Sequence, residues 1–284
     1  MEPNFKNDND KNALFCNGSF IFSVKYMHIV HQNYKALIQP TMPKPPVPKI
    51  AKKRALLVGS NYPGTPNQLQ GCLNDVAHVS GVLTSKGYTC ALVTDFTALK
   101  PTRNNILMSL QSLLRTSSSG DTCFFLFSGH GTNTRDRNGD EVDGKDEMIC
   151  PCDMRMISDD ELNTMIKTNL KPGVTLIALF DSCFSGSVLD LKYSYFPVAV
   201  NSRVKDTPST VVMISGCRDN QTSADANINS KWQGAMTASF LNSISSPNIA
   251  SLLTNMRTYL AANKYTQVPQ LSSGRPLNSN ILYI

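Results

Sequence analysis

The chain has 284 residues, 41% of them hydrophobic and 17% charged, a globular composition that excludes an intrinsically disordered protein. Its net charge of +6 comes without a long lysine or arginine block, so we expect no nucleic-acid partner. No stretch approaches the ~18 consecutive apolar residues of a membrane-spanning helix, and we expect no membrane span.

Eight cysteines are spread along the chain, and their surroundings favour free thiols over disulfides. Cys90 and Cys123 lie inside apolar runs, where a free cysteine behaves as a small hydrophobic side chain. The polar start of the sequence has none of the features of a secretory signal. We therefore expect a protein of a reducing compartment, the cytoplasm.

Residues 1–50 differ in composition from the rest of the chain. The stretch "QPTMPKPPVPK" is too rich in proline for a helix or a central strand, which predicts an amino-terminal arm and linker ahead of a folded domain at 51–284. The apolar part of the arm, "FCNGSFIFSVKYMHIVHQNY", has two interpretations. Either it lies across a functional cleft of the domain, or its side chains only cover an apolar patch.

Strands and helices alternate from Arg54 onward, which predicts an α/β fold with a mostly parallel sheet and helices on both faces. One predicted helix begins with a capping box, Ser158 followed three residues later by Glu161. In such sheets the functional site lies beyond the carboxyl ends of the strands. The predicted strands are "RALLVG", "YTCALVTD", "DTCFFLFSG", "VTLIALFDSC", "STVVMISGC" and a last edge strand, "QLSSG". The predicted helices are "LNDVAHVSGVLTSKG", "PTRNNILMSLQSLLRT", "SDDELNTMIKTNL", "GAMTASFLNSI" and "IASLLTNMRTYLAANK".

Two of these buried strands end at a reactive side chain. "FFLFSGHG" leads to His130, and "TLIALFDSC" leads to Cys183. Parallel neighbouring strands would bring both to one sheet edge, where a cysteine beside a histidine can act as a thiolate nucleophile. The alternatives are a structural cysteine at 183 and a zinc site that uses Cys150 and Cys152, for which no second pair at zinc-finger spacing is present.

The motifs "GSNYPG…LQGCLNDV" (59–76), "SGHG" (128–131) and "DSCFSGS" (181–187) resemble the type I metacaspases of the caspase-like cysteine peptidase clan. The resemblance runs from about Arg54 to Asp190. It implies a caspase-like three-layer sandwich, a Cys/His dyad, calcium-stimulated activity and cleavage after Arg or Lys. The family commonly has a histidine directly after the catalytic cysteine, where this chain has Phe184, and we expect altered packing there without loss of the chemistry.

The dyad logic assigns Cys183 as the nucleophile and His130 as the group that takes up and returns the proton. The backbone N–H groups of Gly131 and Cys183 are the natural oxyanion donors. Asp181 and Asp75 would form an acidic pocket for a cationic side chain, although Asp75 alone is also explained as a helix-start charge. The resemblance implies that the substrate-binding pocket is lined by Cys72, Asp75, Ser128 and Asp181.

Acidic residues concentrate between the two motifs, with ten of the 21 acids of the chain in residues 136–161. Such a concentration repels itself unless it is solvated or bound to a cation. The resemblance implies that calcium is the cofactor and that its ligands are Asp143, Asp159, Asp160 and Asp190. A solvated acidic loop is the alternative.

The sequence therefore favours a monomeric, calcium-dependent cysteine endopeptidase that acts on protein or peptide substrates with Arg or Lys at the cleavage site. The alternative from a different class is a catalytically weak caspase-like protein that binds calcium and serves as a scaffold or regulator. A nucleotide-binding protein is disfavoured, since the chain contains neither G-x-G-x-x-G nor a G-K-[ST] loop.

Overall fold

The structure is a computed structural model, and it describes residues 15–16, 19–20, 50–135, 144–183, 188–195, 198–216, 225–228 and 231–284. The chain divides into two compact units, residues 1–50 and 51–284. In the first unit the described residues are one antiparallel pair, β1 (Phe15–Cys16) with β2 (Ser19–Phe20). The two interpretations of the arm concern residues that lie almost entirely outside the described part of the chain.

The second unit alternates strands and helices along most of its length, as the apolar periodicity predicts. In chain order its elements are β3 (Lys53–Gly59), α1 (Cys72–Ser85), β4 (Tyr88–Thr94), α2 (Arg103–Arg115), β5 (Thr122–Ser128), β6 (Gly131–Arg135), β7 (Lys145–Ile149), β8 (Ile157–Ser158), α3 (Asp159–Asn169), β9 (Thr175–Asp181), β10 (Tyr193–Tyr195), β11 (Val198–Val200), β12 (Thr210–Ser215), β13 (Asp225–Ile228), β14 (Lys231–Gly234), α4 (Ala235–Ser243), α5 (Ile249–Ala262) and β15 (Gln270–Ser273).

The main sheet has eight strands in the order β11-β10-β15-β12-β9-β5-β3-β4. Four consecutive pairs, from β12 through β9, β5 and β3 to β4, are parallel, and the three pairs at the other end are antiparallel. The prediction of a mostly parallel sheet is confirmed. A small antiparallel sheet, β6-β7-β8, and a hairpin, β13-β14, lie outside it.

Alternate residues of each central strand feed two separate cores. On one face, Val58 and Phe127 pack with side chains of α2 and α3. On the other face, Leu57 and Leu126 pack with side chains of α1, α4 and α5. Both faces of the central strands are therefore covered, which explains why their sequences are continuous apolar runs. The predicted three-layer sandwich, with helices on both sides of the sheet, is confirmed.

The prediction of an edge strand at "QLSSG" is wrong. Gln270–Ser273 lies inside the sheet, paired on one side with β12 and on the other with β10. The outer position is occupied by the hairpin of Tyr193–Tyr195 and Val198–Val200, which we did not predict. These strands have only three residues each, too few to show an alternating pattern.

The start of α3 is fixed by two sets of contacts. The predicted capping box is confirmed, since the Ser158 hydroxyl accepts from the Glu161 N–H at 3.3 Å and the Ser158 N–H donates to Glu161 Oε2 at 3.4 Å. Arg103, the first residue of α2, donates from both terminal guanidinium nitrogens to the two carboxylate oxygens of Glu161. These hydrogen bonds lower the pKa of Glu161, so the pair is ionised at neutral pH and ties α3 to α2.

Within the described ranges, no helix combines the length and the apolar character needed to cross a membrane.

Candidate active site

Two neighbouring parallel strands end next to the candidate catalytic residues. In the register of β5 and β9, Ser128 lies directly opposite Asp181. His130 and Cys183 each follow two residues later, so both lie at the carboxyl-end edge of the sheet, and both are partly exposed. A substrate can therefore approach both residues from solvent at the same edge.

Gly131 brings the two loops into contact. A methyl group at position 131 would lie only 2.1 Å from the carbonyl oxygen of Cys183, so no larger residue fits without moving the backbone. The backbones of Gly131 and Cys183 consequently lie side by side. Their N–H groups remain the predicted oxyanion donors.

The imidazole of His130 is held by a main-chain group. Its Nε2 lies 2.7 Å from the carbonyl oxygen of Asn67. A carbonyl oxygen only accepts, so we assign the hydrogen of this bond to Nε2, which leaves Nδ1 for proton exchange with a reacting group. Sequence reasoning missed Asn67, because a backbone carbonyl leaves no signal in the residue type.

Tyr62 is a second contact of His130 that the sequence did not reveal. Its hydroxyl accepts a hydrogen bond from the His130 N–H at 2.8 Å and donates one to the Cys150 carbonyl at 2.6 Å. The centroids of the Tyr62 ring and the imidazole are 4.8 Å apart. The motif "GSNYPG" contains this tyrosine, but an aromatic residue in a loop gives no indication of its partner.

Three other cysteines at or near the sheet, Cys123, Cys150 and Cys152, are poor nucleophiles. Burial raises the pKa of the Cys150 thiol to about 11, with a smaller contribution from nearby Cys183. Burial also raises the pKa values of Cys123 and Cys152. All three are therefore protonated at neutral pH, which leaves the partly exposed Cys183 beside His130 as the better candidate.

Two buried carboxylates lie next to the ends of the same strands. Asp75 is 1% exposed, and its two oxygens accept from the Ser128 hydroxyl at 2.7 Å and the Gly234 N–H at 3.0 Å. Asp181 is 5% exposed, and its Oδ2 accepts from both the N–H and the hydroxyl of Thr237 at 2.8 Å. Hydrogen bonds to a carboxylate stabilise its charged form.

Gly234 separates these two carboxylates. A methyl group at this position would lie 2.0 Å from Asp181 Oδ2 and 2.8 Å from Asp75 Oδ2. The structure therefore brings Asp75, Ser128 and Asp181 together, and Cys72 begins the same helix one turn before Asp75, on the same side of it. Gly234, the N-cap of α4, and Thr237, in its first turn, were missed because nothing in "QGAMT" marks them as contacts of an acid.

A separate acidic cluster lies at the start of α3. One carboxylate oxygen from each of Asp159, Asp160 and Asp190 lies within 4.8 Å of the others. Asp159 is 1% exposed and accepts from the N–H of Glu147 at 2.5 Å, which ties the cluster to β7. Three carboxylates at this separation repel one another strongly unless a cation balances them.

The donor set of this cluster fits calcium, which prefers six to eight oxygen ligands, carboxylates among them. Asp190 follows Cys183 by seven positions, so the cluster and the nucleophile belong to the ends of one short segment. The fourth predicted ligand, Asp143, lies outside the described residues, as does Phe184.

The pKa differences among the cysteines make a direct prediction. At pH 7, iodoacetamide should alkylate Cys183 in the folded chain at least ~10 times faster than Cys123 or Cys150, because only a thiolate reacts. Raising the pH towards 11 should increase the reactive fraction of Cys150, whose raised pKa keeps it protonated at lower pH. Peptide mapping by mass spectrometry gives each rate, with the chain in guanidinium chloride as the control in which the differences should collapse. Equal labelling of Cys150 and Cys183 in the folded chain would contradict this assignment.

The sequence of the chain matches a known protein family. A sequence model described as "Metacaspase, peptidase C14 domain" matches residues 53–192. Metacaspase-1 of Scheffersomyces stipitis is 37% identical over 82% of this chain and 73% of its own length. Metacaspase-1 of Meyerozyma guilliermondii is 36% identical over 82% of this chain and 72% of its own length.

Solved structures support the fold. Protein GSU0716 of Geobacter sulfurreducens matches with a TM-score of 0.62 at 23% identity, over 80% of this chain and 95% of its own. Caspase-1 of Spodoptera frugiperda matches with a TM-score of 0.54 at 11% identity, over 82% of this chain and 89% of its own. The caspase-like sandwich predicted from the sequence is confirmed. The sequence relatives show the family: the chain belongs to the metacaspases, which are caspase-like cysteine peptidases.

Proposed function

We propose that this metacaspase is a calcium-dependent cysteine endopeptidase that cleaves proteins after Arg or Lys. The observation that carries the proposal is the convergence at one sheet edge of His130, Cys183 and the buried carboxylates Asp75 and Asp181. His130 and Cys183 supply the groups for peptide hydrolysis. The two carboxylates supply negative charge, which attracts a positively charged side chain of the substrate.

In the proposed reaction the Cys183 thiolate attacks the carbonyl carbon of the scissile bond, and the electron pair of the carbonyl moves onto its oxygen. The N–H groups of Gly131 and Cys183 stabilise this oxyanion. His130 then protonates the departing amine, and a water molecule deprotonated by His130 hydrolyses the thioester. The hydrogen bond from Nε2 to the Asn67 carbonyl keeps the ring in one orientation, so that Nδ1 takes up the proton of the Cys183 thiol and returns it to the amine.

The preference for a basic residue rests on the electrostatics of the Asp75 and Asp181 pair. Both carboxylates are buried, and N–H and O–H donors hold them in position. A guanidinium or ammonium group that enters beside them gains a charge-charge interaction in a setting of reduced dielectric. A guanidinium can in addition form paired hydrogen bonds with a carboxylate. An acidic side chain would be repelled, which separates the proposed specificity from cleavage after aspartate.

The calcium requirement rests on the cluster of Asp159, Asp160 and Asp190. A divalent cation held by these residues would supply the positive charge that balances the three carboxylates. Asp190 has a left-handed backbone, with φ of 44°, and the side-chain amide of Asn163 donates to its carbonyl at 3.2 Å. Asp190 lies seven positions after Cys183, so the cluster is covalently close to the nucleophile.

Removing either member of the dyad should abolish hydrolysis of a fluorogenic peptide ending in Arg, assayed with and without calcium. The residues act as a unit, so the Cys183→Ala, His130→Ala double variant should be no slower than either single variant. The control is Cys90→Ala, which changes a cysteine outside the site. Wild-type inactivity with a folded chain would favour the alternative of a calcium-binding scaffold. Substantial turnover by Cys183→Ala would show that the nucleophile is wrongly assigned.

Neutralising one carboxylate of the pocket should weaken recognition of basic residues. Asp181→Asn keeps an oxygen that can accept from Thr237 but removes the charge, and should lower kcat/KM for an Arg substrate by on the order of 10²-fold. Asp153→Asn, which removes an exposed carboxylate outside the pocket, is the matched control and should leave kcat/KM unchanged. Efficient cleavage after Asp by the wild type would contradict the proposed pocket.

Removing charge from the acidic cluster should weaken calcium binding. Asp160→Asn should raise the calcium concentration for half-maximal activity at least ~10-fold, because the number of charged ligands sets the affinity of such sites. Asp153→Asn removes a nearby carboxylate that is not part of the cluster and serves as the control. Isothermal titration calorimetry measures the binding independently of turnover. Unchanged calcium affinity in Asp160→Asn would overturn the assignment of this ligand.

A further inference from the structure

Tyr62, His130 and Cys150 form a closed ring of hydrogen bonds that includes the backbone of His130, a member of the candidate dyad. The Tyr62 hydroxyl donates to the Cys150 carbonyl at 2.6 Å, the Cys150 N–H donates to the His130 carbonyl at 2.9 Å, and the His130 N–H donates to the Tyr62 oxygen at 2.8 Å. Each of the three residues donates one of these bonds and accepts another. The two bonds that share the Tyr62 hydroxyl form a chain, and chained hydrogen bonds polarise and strengthen one another.

The ring has a defined direction because a carbonyl oxygen can only accept. The Tyr62 hydroxyl must direct its hydrogen to Cys150, which leaves its lone pairs for the His130 N–H. Both backbone polar groups of His130 are therefore satisfied by the ring, and the ring's only side-chain member is a phenol that is 2% exposed. A substitution that removes this hydroxyl would break two of the three bonds and leave the third.

Tyr62 also contacts the imidazole directly. The two ring centroids are 4.8 Å apart, with an angle of 34° between the planes. A methyl group on Gly129 would lie 2.6 Å from the Tyr62 hydroxyl oxygen, so the turn before His130 closes tightly over the phenol. The tyrosine thus limits both where the His130 backbone lies and how its ring can tilt.

The loop that carries Tyr62 is held by hydrogen bonds to Asp95. Asp95 accepts from the Ser60 hydroxyl at 2.8 Å and from the Asn61 N–H at 2.5 Å. Tyr62 has φ of 51°, a conformation that a bulky side chain rarely adopts, and its carbonyl accepts from the N–H and the hydroxyl of Thr65. A residue kept in an uncommon conformation by several surrounding bonds is typical of functional sites.

We propose that Tyr62 is a positioning residue for the reaction, which sets the place of the His130 imidazole relative to Cys183 through the hydrogen-bond ring and the ring contact. The proposal rests on the proposed function only in taking His130 and Cys183 as the dyad. Tyr62 acts through His130, since its hydroxyl bonds to the backbone of His130 and Cys150 and its ring lies against the imidazole. Its contribution is therefore to the chemical step and to the reactivity of Cys183, and not to substrate binding.

The test is Tyr62→Phe, which keeps the aromatic ring and removes only the hydroxyl. With an Arg-ending peptide, kcat should fall by about 10- to 100-fold while KM stays within about twofold, because small displacements of a catalytic group cost rate without affecting ground-state binding. The second-order rate constant for alkylation of Cys183 by iodoacetamide at pH 7.5 should fall by about tenfold, since a displaced imidazole stabilises the thiolate less well.

Tyr88→Phe is the matched control. Tyr88 is also buried, at 3% exposure, and its hydroxyl has no hydrogen-bond partner among the residues that the structure describes. It packs edge-on against Phe124 in the core, away from His130. This variant should leave kcat and the alkylation rate within about twofold of the wild type. Equal losses in the two variants, or wild-type values of both constants in Tyr62→Phe, would overturn the proposal.

A measurement on the wild-type chain keeps the proposal testable even if Tyr62→Phe does not fold. Amide hydrogen exchange resolved at single residues should show the His130 N–H strongly protected, although this residue lies in a loop between strands, because its N–H is held in the ring. Exchange of the His130 amide at the rate of an exposed loop would contradict the ring. The alkylation and exchange measurements need no turnover, so they also separate a failure of this proposal from a failure of the proposed peptidase activity.

Discussion

Seven residue pairs hold β5 parallel to β9, from Thr122 opposite Thr175 to Ser128 opposite Asp181. Side chains alternate between the two faces of a sheet, so a shift of one residue in this register would turn every core side chain of one strand to the wrong face. Two packed cores, one on each face, exclude such a shift. Burial of apolar side chains thereby fixes the point at which each strand ends, and so the relative positions of the loops that carry His130 and Cys183.

The loop between β3 and α1 connects the chemistry of the dyad to the acidic pocket. It supplies the Asn67 carbonyl and the Tyr62 hydroxyl to His130, and it leads directly into Asp75 in the first turn of α1. The Asn61 side chain accepts from the Cys72 N–H at 3.0 Å, which joins the start of that helix to the loop. A single segment, anchored by Asp95, therefore positions the proposed base and one wall of the proposed pocket, so the two are placed by the same contacts.

The features that could be predicted from the sequence depend only on the residue types within one short segment. The apolar runs of β5 and β9 predict strands buried on both faces, and their abrupt ends at "SGHG" and "DSC" predict the sheet edge at which we propose the active site. The capping box at Ser158 was equally local, since both partners lie within one helical turn. The contacts of Asn67, Tyr62 and Gly234 could not be predicted in this way, because they depend on backbone groups brought together over long separations along the chain. The place of Gln270–Ser273 in the sheet was missed for a related reason, as it depends on strands too short to be recognised.

The proposed activity depends on the Cys183 sulfur and on the acidic pocket, and covalent labelling tests both together. The folded chain is incubated with a peptidyl chloromethyl ketone ending in Arg, and in parallel with the same peptide ending in Asp, each in calcium and in EDTA, and the adducts are mapped by mass spectrometry. The account predicts a single adduct on Cys183 with the Arg reagent in calcium, and much slower labelling in EDTA or with the Asp reagent. Labelling at another cysteine, or equal labelling by the two reagents, would contradict it.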